Sequence, residues 1–277
     1  MNENLYSDED KNSLRISEFD HYMGQTTFNN VAAKFVVKGK ETYFVKNRKF
    51  ELHKGEYIIG NNNHLSEIKI SENTIGVCID VSNTIINEVL NTVFDNPDLG
   101  EFILTDKFLI NKYNAKNTSL GHKLSDLSHN LLLGQRERLL NDELFYSLGE
   151  TIVMDQAVVF EQLSRLNFKK QQVTEEVYRN LQLAKNYLDD CFLENINLDS
   201  LTQLARISKY AFIRQFKTTF GNTPYNYLII KRLEYAHSLL LNKEPIADVA
   251  LKVGFADTPS FSKSFKNYFG ISPSLVK

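Results

Sequence analysis

The chain has 277 residues, 42% of them hydrophobic and 24% charged, with a formal net charge of −2. This is enough length for about two domains and enough apolar material for packed cores, which excludes global disorder. No run approaches the roughly 18 to 20 apolar residues of a membrane-spanning helix, and two lone cysteines, Cys78 and Cys191, provide neither a disulfide framework nor metal-ligand spacing.

The first residues, MNENLYSDEDKN, are acidic and polar, unlike a secretory signal. Together with the cysteine usage they place the expectation in the cytoplasm. Residues 25–110 read mainly as strands. Val, Phe, Tyr and Ile dominate AAKFVVKGKETYFVKNRKFELHKGEYIIG. Turn signals at Lys38-Gly39-Lys40, Lys46-Asn47-Arg48 and Lys54-Gly55-Glu56 cut it into short pieces. SEIKISENTIGVCIDVS continues the alternation, and evenly spaced short strands predict a sandwich or small barrel.

From about 118 to 167 the apolar period becomes helical. Leu120, Leu124, Leu127 and Leu131 recur at three or four, and Leu144, Leu148 and Ile152 at four. Such a surface, extended by Val159 and Leu163, either covers the strands or pairs with another chain. The segment NFKKQQVT, 167–174, has no apolar period and reads as a linker. Val177, Leu181, Ala184 and Leu188 then open a further helical face.

The C-terminal part carries an internal repeat. FIRQFKTTFGNTP (212–224) and FSKSFKNYFGISP (261–273) superimpose at an offset of 49, with Phe, Lys, Gly and Pro in common positions. Upstream the offset is 48, so one residue is added in the turn of the second copy. Each copy reads as helix, tight turn, helix. In the second, Pro245 suits a first turn, Gly254 ends the first helix, and Thr258-Pro259 reads as an N-cap followed by proline. Ser208 is the N-cap of the matching helix. Phe212, Phe216 and Phe220, like Phe261, Phe265 and Phe269, lie four apart and form the buried stripe. That directs Tyr210, Ile213, Arg214 and Lys217, and Ser262, Lys263 and Lys266, away from the core.

Between the copies, TPYNYLIIKRLEYAHSLLLN reads as one capped helix of about 18 residues, about 27 Å long. Successive major-groove faces lie about 34 Å apart. The helix therefore suits a spacer between two reading heads. Charge agrees: residues 196–277 hold 11 Lys and Arg against 5 Asp and Glu, a balance of +6, leaving −8 on the rest.

The motifs RLEYAHSLL, PIADVALKVGFADTPSFSKSFKNYFGISP and LDSLTQLARISKYAFIRQFKTTFGNTP make residues 175–277 resemble the DNA-binding domain of AraC-type (AraC/XylS) transcription regulators. The resemblance implies an α+β chain in three parts. Residues 1–117 are a strand-rich, cupin-like regulatory β-barrel or sandwich. Residues 118–174 are a helical dimerisation or linker segment, and 175–277 an all-α double helix-turn-helix domain. It implies a sequence-specific activator that contacts adjacent major-groove segments of double-stranded DNA, pairs as a homodimer, meets RNA polymerase, and answers to a small-molecule effector of open identity. The family's base-facing positions fall on Tyr210, Ile213 and Arg214, and on Thr258, Pro259, Ser260, Ser262 and Lys263; Lys209, Lys217 and Lys266 complete the candidate DNA-binding set. Arg206 stands where a turn glycine is usual, and Pro259 brings no side-chain donor or acceptor to a base.

Competing classes are a cupin-type enzyme or ligand-binding module with a DNA-binding tail, and a sequence-indifferent architectural binder. His53 and His64 are isolated and no His-x-His occurs, so neither a metal site nor a cofactor is expected. No nucleotide-binding loop or nucleophile motif is present, so no enzymatic activity is expected.

Overall fold

The computed structural model describes residues 2–61, 64–94, 96–135, 142–166 and 168–276. The chain divides into two units, 1–161 and 162–277.

Among the described residues the first unit has ten strands: β1 (Asn2–Ser7), β2 (Ser13–Phe19), β3 (Tyr22–Phe28), β4 (Val31–Lys38), β5 (Lys40–Val45), β6 (Arg48–His53), β7 (Glu56–Asn61), β8 (His64–Ile70), β9 (Thr74–Val81) and β10 (Asn111–Asn114). They pair antiparallel in two sheets, ordered β1-β2-β9-β4-β7-β10 and β3-β8-β5-β6. The three predicted turns fall where their residues demand. Gly39 has a φ of +81°, and a Cβ there would sit 2.5 Å from the Asn73 carbonyl. Lys46 and Asn47 both have positive φ between paired Val45 and Arg48, the two-residue turn whose twist suits a hairpin.

Strand structure begins earlier than the composition suggests, at residue 2, because β1 and β2 are polar along one edge. Two helices also interrupt the stretch expected to be strand: α1 (Asn83–Val93) and α2 (Pro97–Leu104). Ser82 and Asn96 cap them by accepting backbone N–H bonds, and Pro97 occupies the first turn of α2.

Register assigns the two faces of the six-stranded sheet. Leu14, Ile16, Val77, Ile79, Ala33, Phe35, Tyr57 and Ile59 share one face and are buried. Helices α3 (Ser119–Leu132) and α4 (Asp142–Arg165) complete this unit's helical part. The Tyr57 hydroxyl donates to Thr118, the N-cap of α3, at 2.9 Å, and Asp155 of α4 accepts from the Ser119 and Leu120 amides. Leu120, Leu124, Leu127 and Leu131 are all buried.

The α4 stripe bears on the alternative left open between covering the strands and pairing. Leu148 and Ile152 are 0% exposed and Val159 is 5% exposed within the single chain. Beside Leu148, Gly149 lies close against Ile85, Val81 and Val89, and Phe145 stacks near Tyr6 at 5.0 Å. Leu148, Ile152 and Val159 are thus taken by the protein's own core, while Leu144 and Leu163 are half-buried. Residues 136–141, inside the predicted helical segment, lie outside the described residues.

The second unit is helical: α5 (Gln171–Cys191), α6 (Leu198–Ala205), α7 (Lys209–Phe220), α8 (Pro224–Leu241), α9 (Ile246–Lys252) and α10 (Thr258–Phe269). The predicted linker is shorter than read, since α5 already begins at Gln171; Asn167 lies outside the described residues. Polar side chains along the first turn of α5 hide it from periodicity. Leu233, Ala236, Leu239, Leu240, Val249, Ala250, Val253, Phe261 and Phe265 form the core of the second repeat. Phe212 and Phe216 are 0% exposed in the first. Phe220 and Phe269 are only half-buried, flanking their neighbours at ring distances of 4.7 and 4.5 Å.

Candidate nucleic-acid interface

The repeat is a structural one down to its hydrogen bonds. At the end of α6 the Arg206 amide donates to the Gln203 carbonyl and the Ile207 amide to Thr202. At the end of α9 the Gly254 amide donates to Leu251 and the Phe255 amide to Ala250. This pattern requires a left-handed residue at the turn. Gly254 supplies it at φ +80°, and Arg206 takes the same conformation at φ +52°. The arginine thus occupies the glycine position of the first unit with its Cβ strain intact.

The extra residue of the second copy lies between this turn and the next helix. Ser208 and Asp257 are the N-caps of α7 and α10 at the offset of 49. The expected Thr258 cap is displaced by one: Asp257 Oδ1 accepts the Ser260 amide at 2.7 Å, leaving Thr258 and Pro259 inside the first turn. That bond also holds the Asp257 carboxyl below the ordinary carboxylate value. Ser208 holds its cap position without a side-chain bond to the helix. Pro245 likewise is an N-cap, not a first helical residue. Gly221 and Gly270 close α7 and α10 in matching left-handed conformations.

Both second helices are 12 residues long, and their outward faces correspond position by position. Lys209, Tyr210, Ile213, Arg214 and Lys217 on α7 stand opposite Thr258, Pro259, Ser262, Lys263 and Lys266 on α10 in the repeat. Tyr210 is 78% exposed and Ile213 36% exposed, though both are large and apolar. The Arg214 guanidinium lies 5.9 Å from the centre of the Tyr210 ring, a cation–π stack on the helix surface. Arg214, Lys217, Lys263 and Lys266 are exposed, as are Pro259 and Ser260; Thr258 and Ser262 are half-buried. Lys209 differs from them, because its ammonium is tied to Asp199 at 2.5 Å.

The two repeats are fastened through α8. Thr223 caps it and Pro224 opens it, as expected from its sequence. Arg232 donates to the carbonyls of Phe192, Glu194 and Gly254, so the second turn is pinned to the end of α5. Asp189 of α5 accepts from the Tyr227 hydroxyl at 2.7 Å and pairs with Lys185 and Lys231. These cations are structural and do not belong to the exposed reading faces. Periodicity alone does not distinguish them from DNA-facing ones.

The first unit holds a second feature that sequence reading missed. The face of the six-stranded sheet opposite its apolar one carries Arg15, Cys78 and Lys34 in adjacent register across β2, β9 and β4. Thr26, Glu41, Tyr43, Ile68 and Ile70 of the other sheet join them around a cavity of about 300 Å³. The Lys34 ammonium donates to Thr26 Oγ1 at 2.9 Å and to Cys78 Sγ at 3.6 Å, and lies 5.2 Å from the Phe28 ring centre. Arg15 pairs with buried Asp80 at 2.6 Å. Glu41 accepts from the Tyr43 hydroxyl at 2.6 Å. Burial pushes the Glu41 carboxyl up, against the opposing Tyr43 bond and Lys34 charge. The available signal was a lysine inside the apolar run VAAKFVV, which strand alternation alone reads as solvent-facing.

Among the described residues there is no group of three or more His, Cys, Asp and Glu side chains arranged to hold a metal, and no helix long and apolar enough to cross a membrane.

Two helix–turn–helix units of equal build, joined by one helix, define a DNA-binding module. Residues 201–277 match the family model described as a helix-turn-helix domain. The chain is 32% identical over 96 residues to the probable transcriptional regulator LumQ of Photobacterium leiognathi, covering 34% of this chain and 39% of that protein. It is 31% identical over 157 residues to the HTH-type transcriptional activator RhaS of Escherichia coli (strain K12 / DH10B), covering 54% and 56%. A probable AraC family transcriptional regulator from Rhodopseudomonas palustris CGA009, of known crystal structure, is 26% identical over 34% of this chain and 91% of that one, with a TM-score of 0.33. The chain thus spans about two-fifths to just over half the length of the two curated relatives. The C-terminal unit carries a helix-turn-helix domain, and both of these curated relatives are named as transcriptional regulators.

Proposed function

We propose that the protein is a sequence-specific, double-stranded DNA-binding transcriptional regulator of the cytoplasm that acts as an activator. The observation that carries this reading is the position-by-position match of two exposed helix faces behind two identically bonded turns. Arg214 and Lys263 are equivalent in the repeat, and each presents a cation suited to guanine O6 and N7. Tyr210 and Ile213 suit shape and thymine-methyl contact. Ser260, Ser262 and Thr258 offer hydroxyls, and Pro259 contributes shape alone. Lys217 and Lys266, in the last turns, complement the helix dipole and reach phosphates. Lys209, held by Asp199, contributes least.

Three finer elements belong to this reading. The chain works as a homodimer, a small-molecule effector occupies the cavity between the sheets, and activation proceeds through contact with RNA polymerase. Supporting the effector element is the concentration of buried polar groups around that cavity, which a plain core does not need.

In vitro selection of sites from random duplexes by the full chain tests the reading. The expected product is a bipartite site whose halves lie about one helical turn apart. Arg214→Ala and Lys263→Ala each weaken binding to it by about 1 to 3 kcal/mol and relax one half only. No enrichment over random DNA, or unchanged sequence preference in both variants, rejects the assignment.

A further inference from the structure

We propose that Tyr210 is a positioning residue: its ring holds the Arg214 guanidinium ready for two-point recognition of a guanine, so that the half-site under α7 is read strictly and the half-site under α10 loosely. This rests on the reading of α7 and α10 as the two DNA-contacting helices and adds what each demands of its base.

The repeat supplies its own control. At the offset of 49, Tyr210 and Arg214 correspond to Pro259 and Lys263. In each helix the two residues are four apart, which places them on one face, one above the other. On α7 the guanidinium carbon lies 5.9 Å from the centre of the Tyr210 ring. Lys209 in the same helix is tied to Asp199, whereas the partner of Arg214 is that ring. Tyr210 is exposed and belongs to no core, so its ring is available to this contact.

A long arginine on a helix surface samples many rotamers, and fixing it on a base costs entropy. A ring against the guanidinium restricts that freedom before DNA arrives. Contact through the face of the cation leaves its forked N–H donors for a base edge. In the major groove guanine alone offers such a fork two acceptors, N7 and O6; adenine presents the N6 donor beside its N7. Lys263 acts differently. An ammonium is a point charge with rotatable donors, and guanine N7 or O6, adenine N7 and thymine O4 all satisfy it. Pro259, in the first turn of α10, has no π face to confine it. The first head is therefore a preset fork and the second a single charge.

The test is site selection from random duplexes by the full chain, followed by competition binding of the selected duplex and its single-base changes. The position that Arg214→Ala relaxes marks the α7 half, and the position that Lys263→Ala relaxes marks the α10 half. In the parent, exchanging guanine for adenine at the α7 position is expected to weaken binding about tenfold or more, and exchanging one purine for the other at the α10 position less than about threefold. Tyr210→Leu is expected to lower the guanine-over-adenine ratio at the α7 position by about two- to fivefold, and Tyr210→Phe, which keeps the ring, to restore it. In an Arg214→Ala background Tyr210→Leu is expected to change that ratio no further. A residue that only packs against the groove lowers affinity for both duplexes alike and leaves the ratio unmoved. Equal stringency at the two positions, an unmoved ratio in Tyr210→Leu, or a further loss in the Arg214→Ala background each overturns the proposal. The comparison of the two halves uses the parent alone and stands however the variants fold. Selection of no site removes the DNA-contact reading and the role of Tyr210 with it; a selected site with an unmoved ratio removes the role of Tyr210 alone.

Discussion

Arg206 shows what a single position reveals at each level. Its place in the repeat marks it as the residue standing where the second copy has Gly254, and the structure puts it at φ +52° with the same two turn bonds. A β-carbon in this conformation costs about 1 kcal/mol, and the side chain is exposed. Arg206→Gly is therefore expected to stabilise the C-terminal unit by up to about 1 kcal/mol, less the entropy that glycine adds to the unfolded chain. Thermal unfolding checks it; a lowered melting temperature means the arginine makes compensating contacts. Asp257 was not legible in the same way. Thr258-Pro259 has the composition of a cap, and only geometry shows the aspartate one residue earlier taking the Ser260 amide. Lys34 was hidden for a different reason. A period of two says that alternate residues share a face, but not which face meets solvent. In a sheet buried on both sides the rule has no outward direction.

At the scale of elements, periodicity located the helical C-terminal part almost completely, because each Phe stripe has one neighbour to bury against. Phe216 and Phe265 are 0% exposed at equivalent places. Phe216→Ala and Phe265→Ala are each expected to cost about 3 to 5 kcal/mol through loss of transfer energy and a cavity. A normal denaturant midpoint in either variant contradicts their place in the core. The joint between α5 and α8 was not legible, since its residues are polar and 38 apart in sequence. Burial pushes the Asp189 carboxyl up, but Lys185, the Tyr227 hydroxyl and Lys231 outweigh it and hold it below its ordinary value. Tyr227 is in turn raised by burial and by its bond to Asp189. With the folded value below the unfolded one, this stabilisation is fully present above about pH 4 and is lost as pH falls through the folded value. Asp189→Asn is expected to cost about 1.5 to 3 kcal/mol at neutral pH and to flatten the acid side of the stability profile. An unchanged acid limb means other carboxylates govern it.

For the molecule as a whole, a net charge of −2 conceals a C-terminal balance of +6, and that asymmetry was readable before any fold. Assembly was not. A helical stripe of apolar residues looks the same whether it meets its own sheet or a second chain, and for Leu148 and Ile152 the protein's own core has taken it. What remains on α4 is another face, where Met154 is 48% and Val158 52% exposed, four residues apart. If the proposed homodimer uses α4, it uses this face. The argument for pairing is energetic: two linked DNA-binding units gain about 10² to 10⁴ in avidity when both half-sites are reached. Sedimentation of the full chain at micromolar concentration is expected to show a dimer. Met154→Glu with Val158→Glu is expected to yield a folded monomer with unchanged melting temperature and lost avidity on a two-half-site duplex. Leu148→Glu behaves differently, burying a charge in a fully enclosed position and lowering stability before it alters assembly. A dimer that survives the Met154/Val158 pair moves the interface off α4, and a monomeric parent chain removes pairing from the free protein.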